Sequence, residues 1–140
     1  MEYGPGVGTF TAEILRRMRS DARLVAIETN AQFVRFVRDS LPDERLIVEQ
    51  ASAADVGEIL TRHSLPRAHT IISGIPLGSF PRWLQAAIAE TSREALEPEG
   101  RFLVYQFTAR VLPVLRATFP SVERSRQWRN FPPAHLFECT

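Results

Sequence analysis

The hydrophobic residues of this chain follow two patterns in turn, and each pattern predicts one kind of element. Short runs rich in apolar and β-branched residues predict strands over residues 24–27, 46–48, 69–73 and 102–107. Between these runs the apolar residues recur every three to four positions, as on the buried face of an amphipathic helix. Helices are accordingly predicted over residues 9–20, 31–41, 55–60, 84–96 and 111–119.

Several of these helices have recognisable ends. Asn30 is placed to cap the second helix, and Pro42 to stop it. Asp55, with Glu58 three residues further on, resembles a capping box for the third helix. The turn Pro98-Glu99-Gly100 is predicted to close the long fourth helix before the next strand begins.

The order of the elements predicts the fold class. Strand and helix alternate four or five times, which favours an α/β protein with a doubly wound, mostly parallel sheet covered by helices on both faces. The last two strand-like runs, 122–128 and 136–139, have no helix between them, so they are predicted to be antiparallel neighbours. In sheets of this kind, ligands bind at the carboxyl ends of the strands.

Length and composition fit a single domain over residues 1–140. The formal net charge is only +1, so no nucleic-acid partner is expected. The single cysteine, Cys139, excludes an internal disulfide and fits a reducing compartment. Without a signal peptide or a long apolar run, a cytoplasmic protein is predicted, with peripheral membrane association left open. The histidines at 63, 69 and 135 lack metal-ligand spacing, so no metal is predicted.

The first candidate site is the stretch 2–9, in which an acidic residue precedes glycines at alternate positions 4, 6 and 8. Glycine tolerates positive φ and lets a ligand approach the backbone closely. The helix that follows directs free N–H groups and its positive dipole end at that ligand. A dinucleotide fingerprint needs its third glycine one residue later, where Thr9 stands. The loop therefore predicts a nucleoside-containing cofactor other than a dinucleotide.

An acidic residue at the next strand end supports this prediction. Glu28 stands 20 residues after Gly8, where a carboxylate can accept hydrogen bonds from both hydroxyls of a ribose. The loop after residue 50 and the loop of residues 73–77 also follow strands. All four segments are expected to meet at the carboxyl edge of the sheet.

On these residues the chain resembles the class I S-adenosylmethionine-dependent methyltransferases, whose fold is Rossmann-like. Residues 2–8 match the first motif of that family, residues 24–28 its second, and residues 96–102 the turn before its fifth strand. The resemblance covers essentially the whole chain and implies S-adenosyl-L-methionine as the cofactor. The cofactor-binding residues it implies are Glu2, Tyr3, Gly4, Pro5, Gly6, Gly8, Glu28, Thr29, Ser52, Ala53, Ser73 and Gly74.

Two further segments are similar to bacterial phospholipid N-methyltransferases of the phosphatidylethanolamine-methylating type. These are residues 73–77 and residues 128–134. The similarity implies methyl transfer to the ethanolamine amine, ending at phosphatidylcholine, with the lipid at a membrane surface. Arg129 is placed to pair with a lipid phosphate. The substrate-binding residues expected are Ile75, Pro76, Leu77, Phe80, Arg129 and Asn130, and no catalytic base is assigned.

Two alternatives stay open. The first is methylation of rRNA adenine or a small amine, although Gly74 and Leu77 replace the amide and the aromatic ring that base methylation needs. The second is a non-catalytic remnant that binds the cofactor. It follows from the short first strand, of which only residues 1–3 precede the glycines. The usual N-terminal segment is therefore expected to be missing, and a second copy of the chain is a candidate for completing the sheet.

Overall fold

The computed structural model describes residues 1–128 and 132–140. These residues form two compact units, Met1–Ala53 and Ala54–Thr140. The strands are β1 (Glu2–Tyr3), β2 (Leu24–Glu28), β3 (Leu46–Gln50), β4 (Ala68–Ser73), β5 (Leu96–Gln106), β6 (Val122–Gln127) and β7 (Ala134–Cys139). The helices are α1 (Thr9–Arg17), α2 (Ala31–Ser40), α3 (Val56–Arg62), α4 (Arg82–Ala95) and α5 (Leu112–Thr118). Single 3₁₀ turns cover Ala53–Asp55 and Leu77–Ser79.

In the first unit, β2 lies between β3 and β1 and pairs with both in parallel. Residues 24–27 of β2 are all buried, as expected for a parallel strand covered on both faces. Val34 and Val37 of α2 pack with Val48 of β3 to form a buried cluster. The apolar spacing of the second predicted helix therefore marks its core-facing side.

Two predicted helix starts have different outcomes. Asn30 caps α2 as predicted, because its side chain accepts a hydrogen bond of 2.9 Å from the Gln32 amide. The prediction of a capping box at Asp55 is wrong, since this side chain makes no capping hydrogen bond to α3. Asn30 has the extended backbone of a capping residue, with ψ at 112°, whereas Asp55 has ψ at 12° at the end of a 3₁₀ turn.

Helix α1 ends at Arg17, three residues earlier than predicted, and Arg45 supports this end. Its guanidinium donates to the carbonyl of Leu15 at 2.9 Å and to that of Met18 at 3.2 Å. These carbonyls belong to the last turn of the helix, which has no further intrahelical donors. Asp43 in turn binds Arg45 at 2.7 Å and holds the guanidinium in place.

In the second unit the strand order is β4-β5-β7-β6. Strands β4 and β5 are parallel, whereas β7 is antiparallel to both β5 and β6. The predicted antiparallel pair at the C-terminus is therefore confirmed. Phe102 of β5 is buried, and its ring centroid lies 5.7 Å from that of Phe119, which directly follows α5.

The predicted turn before the fifth strand is wrong, because β5 begins at Leu96 and includes Pro98, Glu99 and Gly100. Its pairing with β4 shifts register between Ala68, which faces Leu96, and Thr70, which faces Arg101. The extra residues are accommodated as a bulge-like irregularity. A Cβ at position 100 would lie 3.0 Å from the carbonyl oxygen of Ala68, so glycine suits this close approach.

The α/β class, with parallel strands throughout except for the C-terminal β7, is confirmed. None of the helices within residues 1–128 and 132–140 combines the length and the apolarity needed to cross a bilayer.

Candidate functional site

The glycine loop of the first unit has the backbone conformation that its sequence predicts. Gly4, Gly6 and Gly8 have φ values of 74°, 55° and 79°. The loop is closed by a hydrogen bond of 2.8 Å from the Gly8 amide to the carbonyl of Pro5. A second bond of 2.9 Å, from the Gly4 amide to the Ile27 carbonyl, fastens the loop to the end of β2.

Two of these glycines have different surroundings. A Cβ at Gly8 would lie 3.0 Å from Cδ1 of Leu41 and 3.5 Å from Cγ2 of Val37, so the absence of a side chain allows close packing here. A Cβ at Gly6 would meet no atom within 4 Å. Gly8 therefore serves the packing of the unit, whereas Gly6 leaves space in which a ligand can approach the backbone.

Glu28 connects the glycine loop with the neighbouring strand ends. Its Oε1 accepts a hydrogen bond of 2.9 Å from the Asn30 amide, and its Oε2 lies 3.4 Å from the Gly6 amide nitrogen. Its backbone carbonyl accepts a bond of 3.1 Å from the Ala51 amide. The structure thus brings together three predicted segments of the first unit: the glycine loop, Glu28 and the turn after β3.

The remaining predicted cofactor residues of this unit border the same segments. Thr29 is exposed, and its hydroxyl lies 3.5 Å from Oε1 of Glu28. Ser52 is half-buried and Ala53 is buried in the turn after β3, next to Ala51. Thr29 thus adjoins Glu28 in sequence, and Ser52 and Ala53 follow Ala51, whose amide bonds to the Glu28 backbone carbonyl.

Glu2 and Tyr3 lie inside the unit, with 2% and 0% of their surface exposed. The Thr11 hydroxyl donates a hydrogen bond of 2.6 Å to the Glu2 carboxylate. Burial raises the pKa of the Glu2 carboxyl above its usual value, and the bond from Thr11 partly offsets that rise. Thr11, which the sequence did not single out, therefore joins β1 to the first turns of α1.

The predicted acceptor loop follows β4 in the second unit, and a buried glutamine holds it. Nε2 of Gln106 donates to the Ile75 carbonyl at 2.7 Å, while its Oε1 accepts from the Gly78 amide at 3.2 Å. The Leu77 amide also donates to the Ile75 carbonyl, at 2.8 Å. With two donors already directed at it, this carbonyl has little capacity left for a substrate amine.

A second buried glutamine fixes the end of the loop. Nε2 of Gln85 in α4 donates to the Phe80 carbonyl at 2.7 Å. Leu77 is buried at 1% exposure, Phe80 is half-buried, and Pro76 is exposed. Of the predicted substrate residues, Leu77 therefore packs inward, whereas Pro76 and Phe80 have accessible surface. Arg129 and Asn130 lie outside the described residues.

Ser73, at the end of β4, carries a polar atom with unused hydrogen-bonding capacity. Its side chain is buried, and its Oγ has no hydrogen-bond partner among residues 1–128 and 132–140. Buried hydroxyls are normally satisfied, so an unpaired one beside a predicted site is suited to a bound group. Gly74, which follows, is exposed.

Gln106 is a functional candidate that sequence reasoning missed. It was included in the apolar run of 102–107, although it is the single polar side chain in the buried part of that run. A buried polar residue requires a partner, and this requirement was the available signal. One of its partners is the carbonyl of the adjacent Tyr105, at 2.7 Å. The other two are backbone groups 28 and 31 residues away, which no local pattern identifies.

No family model matches the chain. The chain is 29% identical over 147 aligned positions to an ornithine lipid N-methyltransferase from Singulisphaera acidiphila, covering 99% of this chain and 73% of that protein. Its structure is similar to that of precorrin-6y C5,15-methyltransferase from Geobacter metallireducens, with a TM-score of 0.76, 17% identity, and coverage of 99% of this chain and 76% of that one. It is also similar to PigF with SAH, with a TM-score of 0.73, 17% identity, and coverage of 99% and 49%.

These likenesses confirm the predicted class I, Rossmann-like methyltransferase fold. The predictions of a methyltransferase and of S-adenosylmethionine as its cofactor agree with the name of the ornithine lipid N-methyltransferase and with the SAH of PigF. The lipid-modifying relative supports the resemblance to lipid N-methyltransferases. The names of the first two proteins indicate different methyl acceptors, so these likenesses do not identify the acceptor of this chain.

Proposed function

We propose that this chain transfers methyl groups from S-adenosylmethionine to the headgroup amine of a membrane lipid. The observation that carries the cofactor half of the proposal is the position of the Glu28 carboxylate, 3.4 Å from the Gly6 amide in a loop with positive φ. The similarity to an ornithine lipid N-methyltransferase supports the lipid half.

The residues of the first unit fit this cofactor. The open side of Gly6 leaves space beside the Glu28 carboxylate, which has lone pairs for the two ribose hydroxyls. Ser52 and Ala53 would border the adenine, as the resemblance implies. The backbone amide of Asn30, which donates a hydrogen bond of 2.9 Å to Oε1 of Glu28, would keep the carboxylate oriented. When bound, S-adenosylmethionine supplies an electrophilic methyl group on a sulfonium.

In this proposal, the loop after β4 binds the methyl acceptor. Gln106 and Gln85 fix this loop at both ends, so its exposed residues are held in one arrangement. Methyl transfer is an in-line displacement, so the contribution of the chain is to align the amine and to exclude water. The headgroup ammonium must lose its proton before it attacks, and no side chain is assigned as its base.

Two lipids satisfy this proposal. Phosphatidylethanolamine and an ornithine lipid both offer a primary amine on an acylated molecule. Phosphatidylethanolamine is the acceptor that the loop and tail segments suggest, and Arg129 is its proposed phosphate partner. An ornithine lipid is the acceptor named for the relative. The shared chemistry is a lipid-borne primary amine, and the experiment below separates the two.

The test is methyl transfer by the full chain from labelled S-adenosylmethionine. The acceptors are phosphatidylcholine vesicles containing phosphatidylethanolamine, the same vesicles containing an ornithine lipid, an rRNA fragment, and free ethanolamine. We expect label in a lipid and none in RNA or ethanolamine. Label in RNA or ethanolamine alone would replace the lipid proposal. Cofactor binding without transfer to any acceptor would favour the non-catalytic alternative.

The matched control uses two carboxylates of the first unit. Glu28→Ala removes the proposed ribose ligand, whereas Glu44→Ala removes an exposed carboxylate just before β3. Because β2 and β3 are parallel, Glu44 lies at the opposite end of the strands from Glu28. Transfer is expected to fall in Glu28→Ala and to stay unchanged in Glu44→Ala.

A further inference from the structure

Three large aromatic side chains are exposed in the second unit. Trp83, Phe107 and Trp128 have 71%, 57% and 70% of their surface accessible. Single exposed apolar residues are common on proteins, but large exposed rings grouped at one place mark an interaction site.

The strand pairing puts all three at one edge of this unit. Trp83 follows the loop at the carboxyl end of β4, and Phe107 directly follows β5, which is parallel to β4. Strand β6 runs in the same direction as β5, because both are antiparallel to β7. Trp128 directly follows β6, so all three rings lie at the carboxyl ends of parallel strands.

The register confirms this alignment. His135 of β7 faces Gln106 on one side and Arg126 on the other. Phe107 is one residue beyond this row and Trp128 is two residues beyond it. The loop after β4 contacts the same edge, since the Gly78 amide bonds to Gln106 and a Cβ at Gly78 would lie 3.3 Å from Cβ of Arg110.

The exposed charged side chains at this edge are all positive. Arg82, Arg110 and Arg126 are exposed beside the rings, and the guanidinium of Arg126 lies 5.2 Å from the ring centroid of Trp128. The segments 73–89, 100–122, 124–128 and 132–137, which form the edge and its flanks, contain no aspartate or glutamate. This occurs in a chain with 17 basic and 16 acidic residues overall, so the charges are segregated.

We propose that this edge docks on the surface of an anionic lipid bilayer. The aromatic edge consists of Arg82, Trp83, Phe107, Arg110, Arg126 and Trp128. Tryptophan rings favour the boundary between headgroups and acyl chains, where one side is apolar and the other is wet. Arginines near an anionic leaflet add electrostatic attraction. The inference rests on the proposed lipid-directed function and names the partner of the acceptor loop, which ends at this edge.

RNA also binds arginines and stacks on aromatic rings, but the observations favour a bilayer. Nucleic-acid binding draws most of its affinity from many phosphate contacts, and the chain has a net charge of only +1. Docking on a bilayer needs a few arginines together with rings that can enter the headgroup region. Selective binding of RNA through the same residues is an outcome that would overturn the proposal.

The test is sedimentation of the full chain with vesicles of phosphatidylcholine alone and of phosphatidylcholine mixed with phosphatidylglycerol. We expect binding to the mixed vesicles, and weaker binding at high salt. Arg82→Ala should weaken binding roughly fivefold, the loss expected for one basic residue at an anionic surface. Its control is Arg93→Ala, an exposed arginine at the other end of α4, which should bind as the unaltered chain does.

Trp83→Ala should also weaken binding, whereas Phe36→Ala, which removes an exposed ring of α2, should not. Equal binding by Arg82→Ala and Arg93→Ala would overturn the proposal. The absence of any binding to the mixed vesicles would also overturn it. A third contrary result would be displacement of the chain from these vesicles by an rRNA fragment whose affinity for the chain falls in Arg82→Ala.

A second measurement separates this proposal from the proposed function. With the aminolipid dispersed as monomers in detergent, Arg82→Ala and Trp83→Ala should methylate it as fast as the unaltered chain, while being slower on vesicles. Equal losses on dispersed and vesicular lipid would overturn docking. Arg82-dependent vesicle binding without methylation of any aminolipid would support docking and contradict the proposed function.

Discussion

The amide nitrogen of Gly6 lies 3.4 Å from Oε2 of Glu28, although 22 residues separate them in sequence. The contact joins the loop after β1 to the end of β2. The other carboxylate oxygen is held by the Asn30 amide at 2.9 Å. The carboxylate is therefore oriented by the fold before any ligand binds, which lowers the entropic cost of binding.

Removal of this carboxylate should weaken cofactor binding. Glu28→Ala would delete the two charge-assisted hydrogen bonds proposed to the ribose, and hydrogen bonds to charged groups contribute about 1.5–3 kcal/mol each. We expect the affinity for S-adenosylmethionine, measured by calorimetry, to fall at least about tenfold. Glu44→Ala should bind normally. Equal affinities of the two variants would contradict the assignment of Glu28.

Gly6→Ala and Gly8→Ala should have different effects. Both introduce a side chain at positive φ, at a cost of about 1–2 kcal/mol. Gly8→Ala also forces a methyl group against Leu41, so it should lower the unfolding temperature more. Gly6→Ala fills the open side of the loop, so it should lose more cofactor affinity than stability. Thermal unfolding together with calorimetry measures both, and the reverse order would contradict the assigned roles.

Gln106→Ala should affect the acceptor loop more than the cofactor. The substitution leaves the Gly78 amide without its bond, at a cost of about 1–3 kcal/mol in stability. We expect kcat/KM for the aminolipid to fall while the affinity for S-adenosylmethionine stays within about twofold. Gln127→Ala, which alters an exposed glutamine of β6, is the control. Normal kcat/KM in Gln106→Ala would show that the hydrogen bonds from Gln106 to the loop after β4 are dispensable.

The stability of the first unit should depend on acid pH through Asp43. Arg45 holds the pKa of this carboxyl at about 2, below its ordinary value of 3.8, by hydrogen bonding and charge. Because the folded pKa is the lower one, the stabilisation is present above about pH 4 and is lost as the pH falls towards 2. Asp43→Asn should therefore lose this part of the pH dependence in denaturant titrations. An unchanged acid profile would contradict the role of the pair.

Local signals in the sequence were sufficient for much of the fold. The cap at Asn30, the buried run of 24–27 and the glycine spacing each depend on neighbouring residues, and each has the predicted structure. The contact between the glycine loop and Glu28 was also predictable, because parallel strands bring their carboxyl ends together.

Other features depend on residues distant in sequence, and these were missed. Asp55 has a capping sequence but enters α3 through a 3₁₀ turn, so the tertiary path prevails over the local motif. Pro98 was expected in a turn because prolines rarely continue a strand, yet the irregularity opposite Ala68 accommodates it. The hydrogen bonds from Gln106 to the loop after β4 become evident only when this loop is seen beside β5.

The central claim is lipid amine methylation, and mass analysis of the lipid product tests it most directly. The full chain is incubated with S-adenosylmethionine and vesicles that contain phosphatidylethanolamine or an ornithine lipid, and the extracted headgroups are fragmented. The account predicts methyl groups on the headgroup nitrogen of one of these lipids, formed by the unaltered chain and by Glu44→Ala but much less by Glu28→Ala. Unmodified headgroups in both lipids, with S-adenosylmethionine bound to the chain, would contradict it.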